Sequence, residues 1–265
     1  MKRWTGIAGR GLLLAVLCSG WPARAGDDPA DEAAAKGRRI LEAALERRGG
    51  RAALEGIRDF ELTMTGTGKS AAAETAEIHA VRKVLLGKTR CLSDRVRITF
   101  PGAGQELLQQ LVLRGKEGSL RTRLGGRRLS SDEVQGRWAG FHRSSVGILR
   151  ALLDEETTIE AAGAGEVNGK ATEVVRVHRP GEPPLAVDVD PESGCFLRVR
   201  WRERPRSGAP PAPHEIRYRD HRPFGSLKGE PFSAEERVDG AVVTTRRTEA
   251  VRINLGLKPS DFELE

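Results

Sequence analysis

From residue 60 the chain alternates. Phe60, Leu62 and Met64 are separated by Glu61, Thr63 and Thr65, the period-two pattern of a strand with one face buried and one in water. The pattern returns at Val96, Ile98 and Phe100 between Arg95, Arg97 and Thr99, and at Cys195, Leu197, Val199 and Trp201 between Phe196, Arg198, Arg200 and Arg202. It returns again at His214, Ile216 and Tyr218 between Glu215, Arg217 and Arg219. One face of the implied sheet is apolar and the other is rich in arginine, as expected of antiparallel strands with one solvated side. Turn-forming sequences punctuate the runs at Gly87-Lys88, Lys116-Glu117-Gly118, Asp190-Pro191-Glu192-Ser193-Gly194 and Asp239-Gly240, where Gly, Pro, Asp and Ser favour tight reversals. The spacing predicts a meander of about eight to eleven strands.

Two stretches carry a helical period instead. Between Asp31 and Arg48 the residues Ala33, Gly37, Ile40, Leu41, Ala44 and Leu45 form one stripe, and Gly49-Gly50 ends it, as a left-handed cap does. Arg51 to Ile57 reads as a second, short helical turn leading into the Phe60 strand. The longer case runs from Ser131 to Glu155, opened by the capping sequence Ser130-Ser131-Asp132-Glu133, which can satisfy the first free amides. At about 100° per residue, Val134, Trp138, Phe141, Ile148, Leu149 and Leu152 fall within an arc of roughly 100°, with Gly140 or Gly147 as the place for a kink. A stripe of that kind has to cover an apolar surface. The expected class is therefore α+β: an antiparallel sheet with a helical lid on its apolar face.

The N-terminus changes the picture. Lys2, Arg3 and Arg10 precede the apolar run Leu12 to Cys18, and Ala23-Arg24-Ala25 precedes Gly26. This is the layout of a secretory signal peptide cleaved after Ala25. The run is too short for a membrane span, which needs about 20 apolar residues. Cys18 as a lipidated cysteine is the competing reading, but Leu17 stands before it where a small residue is wanted. Residues 26–265 are then expected to form one exported, periplasmic domain. The leader also carries charge: the chain has 44 Lys and Arg against 37 Asp and Glu, and loss of Lys2, Arg3, Arg10 and Arg24 leaves 40 against 37. A nucleic-acid reader wants a concentrated basic face, so that class loses its support.

Candidate chemistry is thin. Residues 65–70 read TGTGKS, the end of a phosphate-binding loop, but the first glycine of such a loop would stand at Thr63, so the backbone cradle is incomplete. The stretch reads as the frayed end of the Phe60 strand, with no nucleotide. Of His79, His142, His178, His214 and His221, none has zinc-protease spacing, and His214 and His221 differ by an odd number, which puts them on opposite faces of a strand. Asp188 and Asp190 precede Gly194 without the glutamate a calcium loop needs and read as a hairpin turn. No serine stands in a nucleophile elbow, and Cys195 on an apolar strand face reads as structural. No metal site, cofactor or catalytic residue is expected. Cys91 and Cys195 form a candidate disulfide: export and an even count favour it. Strand parity opposes it, placing Cys91 with Arg95 on the wet face and Cys195 with Leu197 on the dry one, unless a bulge falls within residues 92–94.

Four segments, taken in order, carry a resemblance: ILEAALERRGGRAALEGIRDFELTMTGTG, RLSSDEVQGRWAGF with ILRALLDEE, VDVDPESGCFLRVRW, and INLGLKPSDFELE. Together they resemble bacterial LolA-like proteins of the outer-membrane lipoprotein-sorting superfamily over nearly all of the mature chain. The resemblance implies an unclosed antiparallel barrel wrapped around a helical lid, with a cavity between them that accepts acyl chains of lipids or lipoproteins. Phe60, Leu62, Met64, Leu197, Val199 and Trp201 from the sheet, with Val134, Trp138, Phe141, Leu149 and Leu152 from the lid, are then the candidate lining. The implied partners are a lipid or lipoprotein acyl chain and a membrane component of the envelope. The competing expectation is that the same residues pack solidly, and that the chain is a non-catalytic periplasmic interaction module using its arginine-rich outer face.

Overall fold

The computed structural model describes residues 29–69, 74–102, 104–203 and 210–263. Two helices come first, α1 (Pro29–Arg47) and α2 (Gly50–Glu55). A first meander follows: β1 (Asp59–Lys69), β2 (Thr75–Leu85), β3 (Cys91–Phe100), β4 (Gln105–Arg114), β5 (Glu117–Thr122) and β6 (Gly125–Arg128). The lid is α3 (Ser131–His142), α4 (Ser145–Leu149) and a 3₁₀ turn at Arg150–Leu153. The second meander is β7 (Thr158–Val167), β8 (Lys170–His178), β9 (Leu185–Val189), β10 (Phe196–Glu203), β11 (Ala212–Phe224), β12 (Leu227–Val238) and β13 (Ala241–Ile253).

All thirteen strands belong to one antiparallel sheet in the order β6-β5-β4-β3-β2-β1-β13-β12-β11-β10-β9-β8-β7. Each meander is built from sequence neighbours, and the two join where the last strand pairs with the first. β6 and β7 are the outer strands, so the barrel stays open, with the lid crossing between them in the chain. The strand count exceeds the expected eight to eleven because several strands lack alternation. β6 reads Gly-Gly-Arg-Arg and is exposed throughout, and β12 is half-buried along most of its length.

Glycines set the close approaches. A methyl group on Gly37 would lie 2.3 Å from the backbone of Glu160, so α1 rests directly on β7. The stripe of α1 buries Ile40, Leu41, Ala44 and Leu45 in the main apolar cluster, with Phe196, Val175 and Val187 of the sheet.

Three sequence expectations change. The lid is not one helix: it breaks at Arg143 and Ser144, where the Ser144 hydroxyl caps α4 by accepting from the Gly147 amide. Gly147 is the contact rather than the kink, since a methyl group there would sit 2.4 Å from the Phe141 carbonyl. The straight alternation of β10 also fails. Its register slips between Phe196 and Arg198, so Phe196 turns into the core and Leu197, at the bulge, is left half-buried outside it. Finally, Cys91 keeps the parity of Arg95 but is not wet. The C-terminal segment crosses that outer face and buries Cys91 and Val112 under Phe262, anchored where the Asp59 carboxylate accepts from the amides of Leu255 (2.6 Å) and Gly256 (3.2 Å).

Candidate functional site: a cavity between sheet and lid

The register stacks the apolar positions of β1 on those of its neighbours. Phe60 aligns with Val84 and Leu92, Leu62 with Arg82 and Asp94, and Met64 with Ala80 and Val96. An ion pair thus stands in the middle of the inner face, held as a fork by Arg82 Nε to Asp94 Oδ1 (2.7 Å) and Arg82 Nη2 to Oδ2 (2.8 Å). On the other side of the seam, β11 turns Ile216 and Tyr218 inward. Between these strands and the lid lies a cavity of about 120 Å³, walled by Phe60, Leu62, Met64, Ile216, Tyr218 and Phe224 and roofed by Phe141 and Val146.

One wall of the cavity is polar and internally paired. Glu230 of β12 is buried against Arg48, the residue after α1, and accepts from the Ser145 hydroxyl at 3.0 Å. Arg48 also donates through Nε to the Lys228 carbonyl (2.8 Å) and lies 5.1 Å from the Phe196 ring centre. Burial holds the Glu230 carboxyl above its ordinary range, less far than it would stand without Arg48 and Ser145. Removing an ion from water is costly, so this wall persists because the two charges answer each other, with Arg48 Nη1 left without a hydrogen-bond partner among the described residues.

The lid is latched at two points. At the break, the Arg143 guanidinium stacks 4.2 Å from the Trp201 ring centre and donates to Glu203 at 3.0 Å, while the buried Tyr218 hydroxyl donates to the Arg143 carbonyl. Burial pushes the Tyr218 phenol up, which keeps it a donor. Further along, Trp138 Nε1 donates to the Gly115 carbonyl (2.8 Å). His142 stands between Glu182 (Nδ1 to Oε1, 2.6 Å) and Arg90, whose Nη1 lies 3.2 Å from Nε2. Arginine can only donate, so Nε2 accepts and Nδ1–H faces the carboxylate. Burial lowers the His142 pKa, opposed by Glu182 and assisted by Arg179 and Arg90.

Of the sequence candidates, Phe60, Leu62, Met64 and Phe141 line the cavity. Val134, Trp138, Leu149, Leu152, Val199 and Trp201 lie in the packed cluster around it, and Leu197 lies at the β10 bulge. Cys91 and Cys195 are both buried free thiols, and burial pushes the Cys91 thiol up. The sequence reading missed Arg48, Arg82, Glu230 and Arg246, all of which contact the cavity or support its wall. For Arg82 a signal existed: a charge at the parity of Ala80 and Val84 breaks an otherwise apolar face. Among the described residues no group of His, Cys, Asp and Glu is arranged to hold a metal ion.

The arginine-rich outer face carries two shallow depressions, of about 490 Å³ and about 600 Å³. Its arginines are largely answered by acids: Arg97 and Arg123 by Glu106, Arg176 by Glu160, Arg200 by Asp188, Arg217 by Glu215 and Arg237 by Glu235. A face so paired projects little net field.

These features define an open antiparallel half-barrel under a helical lid. No protein-family model matches the chain, and no curated protein does. Solved structures share its fold. A domain from Vibrio parahaemolyticus named for outer membrane lipoprotein sorting aligns over 87% of this chain and 97% of its own, at 17% identity and a TM-score of 0.57. A LolA superfamily protein from Nitrosomonas europaea aligns over 86% and 97%, at 14% identity and a TM-score of 0.53. A DUF1329 family protein from Desulfovibrio piger aligns over 86% and 97%, at 11% identity and a TM-score of 0.54. The fold is LolA-like, as the order of sequence elements led us to expect. At these identities the likeness carries the fold and not the ligand. Residues 1–25, read as an export signal, lie outside the described residues, and among the described residues no helix is long and apolar enough to cross a membrane.

Proposed function

We propose that the protein is an exported periplasmic carrier that holds the acyl part of an amphiphile between sheet and lid, without chemistry of its own. The observation that carries this reading is the apolar cavity itself, enclosed by Phe60, Leu62 and Met64 below and Phe141 and Val146 above. Sharing a fold with a domain named for lipoprotein sorting is consistent with it. The driving force would be partition, at about 0.8 kcal/mol for each methylene leaving water. At about 120 Å³ the space is near that of an engineered cavity of about 150 Å³ that admits benzene, enough for a chain end with the lid shut. A long chain therefore requires α3 and α4 to lift, breaking the Arg143–Glu203 and Trp138–Gly115 contacts.

The interaction-module reading draws on the outer arginines, and their pairing with Glu106, Glu160, Asp188, Glu215 and Glu235 weakens it. Titration with a fluorescent fatty-acyl probe at low and high salt separates the two. A carrier binds saturably with little salt dependence, because burial is not screened and surface charge is. Absence of saturable uptake at every concentration tried overturns the carrier.

A further inference from the structure

We propose that the amphiphile bears an anionic head group, a carboxylate or phosphate ester, and that Arg246 receives it at the mouth of the cavity. The inference rests on the carrier reading and adds to it the charge of the cargo. Three arginines line the cavity, Arg82, Arg143 and Arg246. Arg82 is neutralised by Asp94 and Arg143 by Glu203. The one lining carboxylate, Glu230, is answered by Arg48 and Ser145. Among the described residues, Arg246 alone of these lining charges makes no ion pair or side-chain hydrogen bond. Its register partners across the neighbouring strands are Gly66 and Ala234, neither of which offers a polar side chain. Glu236 occupies the diagonal position on β12 and makes its ionic contact with His214, at 3.9 Å.

The placement is built rather than incidental. A methyl group on Gly66 would stand 2.0 Å from the Thr245 carbonyl and 3.1 Å from the Arg246 Cα. The first glycine of TGTGKS therefore lets β13 close on β1 at Arg246. The side chain is half-buried and shares the cavity lining with Phe232, Ala234 and Val251, a setting suited to the head of a chain whose tail is buried. Its charge is close enough to Tyr218 to oppose the rise that burial imposes on that phenol. Thr248, two residues along the same face, also lines the cavity and supplies a hydroxyl donor. A guanidinium presents paired donors that fit carboxylate and phosphate oxygens, and a carboxylate or phosphate there would supply the partner the chain withholds.

The experiment uses one chain with three heads: pyrene-labelled dodecanoate, its methyl ester and the corresponding alkylammonium, titrated into the full mature chain. Dodecyl phosphate and dodecanol serve as unlabelled competitors. We expect the anion to bind at least tenfold tighter than the ester and the ammonium to bind weakest, with dodecyl phosphate displacing the probe better than dodecanol. Arg246→Gln is expected to abolish the preference for the anion over the ester, and Arg246→Lys to retain part of it. A circular dichroism spectrum and thermal midpoint close to those of the unmodified protein show that each variant is folded. Equal binding of anion and ester, or a preference that survives in Arg246→Gln, overturns this proposal and leaves the carrier standing. Binding of none of the three overturns the carrier as well.

Discussion

Arg48 and Glu230 lie 182 residues apart in sequence and form a buried ion pair that ties the end of α1 to β12 at the cavity wall. Removing one partner leaves the other charged in an apolar setting, at a cost of about 3–5 kcal/mol. Arg48→Met should lower the unfolding free energy by that order, and Glu230→Gln by a comparable amount. Arg48→Met combined with Glu230→Leu should recover most of the loss, because two apolar side chains leave no orphan charge. Denaturant unfolding of the three variants measures this. A double variant no more stable than either single one would show that the pair contributes more than matched charge.

Gly66 and Gly68 stand in the same motif but meet different neighbours. Gly66→Ala drives a methyl group into the Thr245 carbonyl, whereas at Gly68 the first contact is the flexible Ile78 Cδ1 at 3.1 Å. Overpacking against backbone costs about 1–3 kcal/mol, so Gly66→Ala should be clearly destabilised and Gly68→Ala nearly neutral. Thermal melts compare them directly. Equal losses would contradict the seam geometry.

His142 makes the lid sensitive to acid. The groups facing it are Glu182, Arg90 and Arg179, with Trp138 and Phe141 against its ring. Burial leads in holding its folded pKa below the ordinary 6.5, so protonation favours the unfolded chain. The stability it contributes is then fully present above about pH 6.5 and is lost as pH falls through the lower folded value. Stability of the unmodified protein relative to His142→Gln should be flat near neutrality and decline on acidification. A relative stability that rises on acidification would reverse the assigned sign.

Trp138 and Phe141 separate packing from lining. Trp138 is buried in the cluster with its indole N–H on Gly115, while Phe141 borders the cavity. Trp138→Ala should cost about 3–5 kcal/mol in stability and leave acyl-probe affinity of the folded fraction unchanged. Phe141→Ala should shift that affinity by about tenfold, which is about 1.4 kcal/mol. The opposite pattern, with Trp138 alone moving probe binding, would relocate the site toward the β4–β5 turn.

What was legible in the sequence was local. Period-two runs at Phe60, Leu62 and Met64, the stripe of α1, the capping box at Ser130 and Glu133, and turns such as Asp239-Gly240 all read from neighbours a few residues apart. The LolA-like order of elements followed from them. What stayed hidden depends on partners far along the chain. No local period announces that Arg48 will meet Glu230, that Arg246 will sit opposite Gly66, or that Phe262 will cover Cys91. The β10 bulge hid for a related reason: one extra residue at Leu197 reverses parity without changing composition. The lid break hid because Ser144, which caps α4 by accepting from the Gly147 amide, looks like ordinary helix interior until α4 folds back on α3.

The seam between β1 and β13 has a kinetic consequence. Thr67 and Thr245 meet there across 178 residues, whereas each meander is built of hairpins between sequence neighbours that can pair without the rest of the chain. Loop closure grows costlier with length, and topologies rich in distant pairings fold slowly, so the seam is the last junction to form. Until then β1 and β13 are bare borders with unpaired amides and carbonyls, open to any other extended chain. A product that stops short of Ala241 is thus not a smaller version of the protein. It is two ribbons with four raw edges, and its expected fate is aggregation or proteolysis.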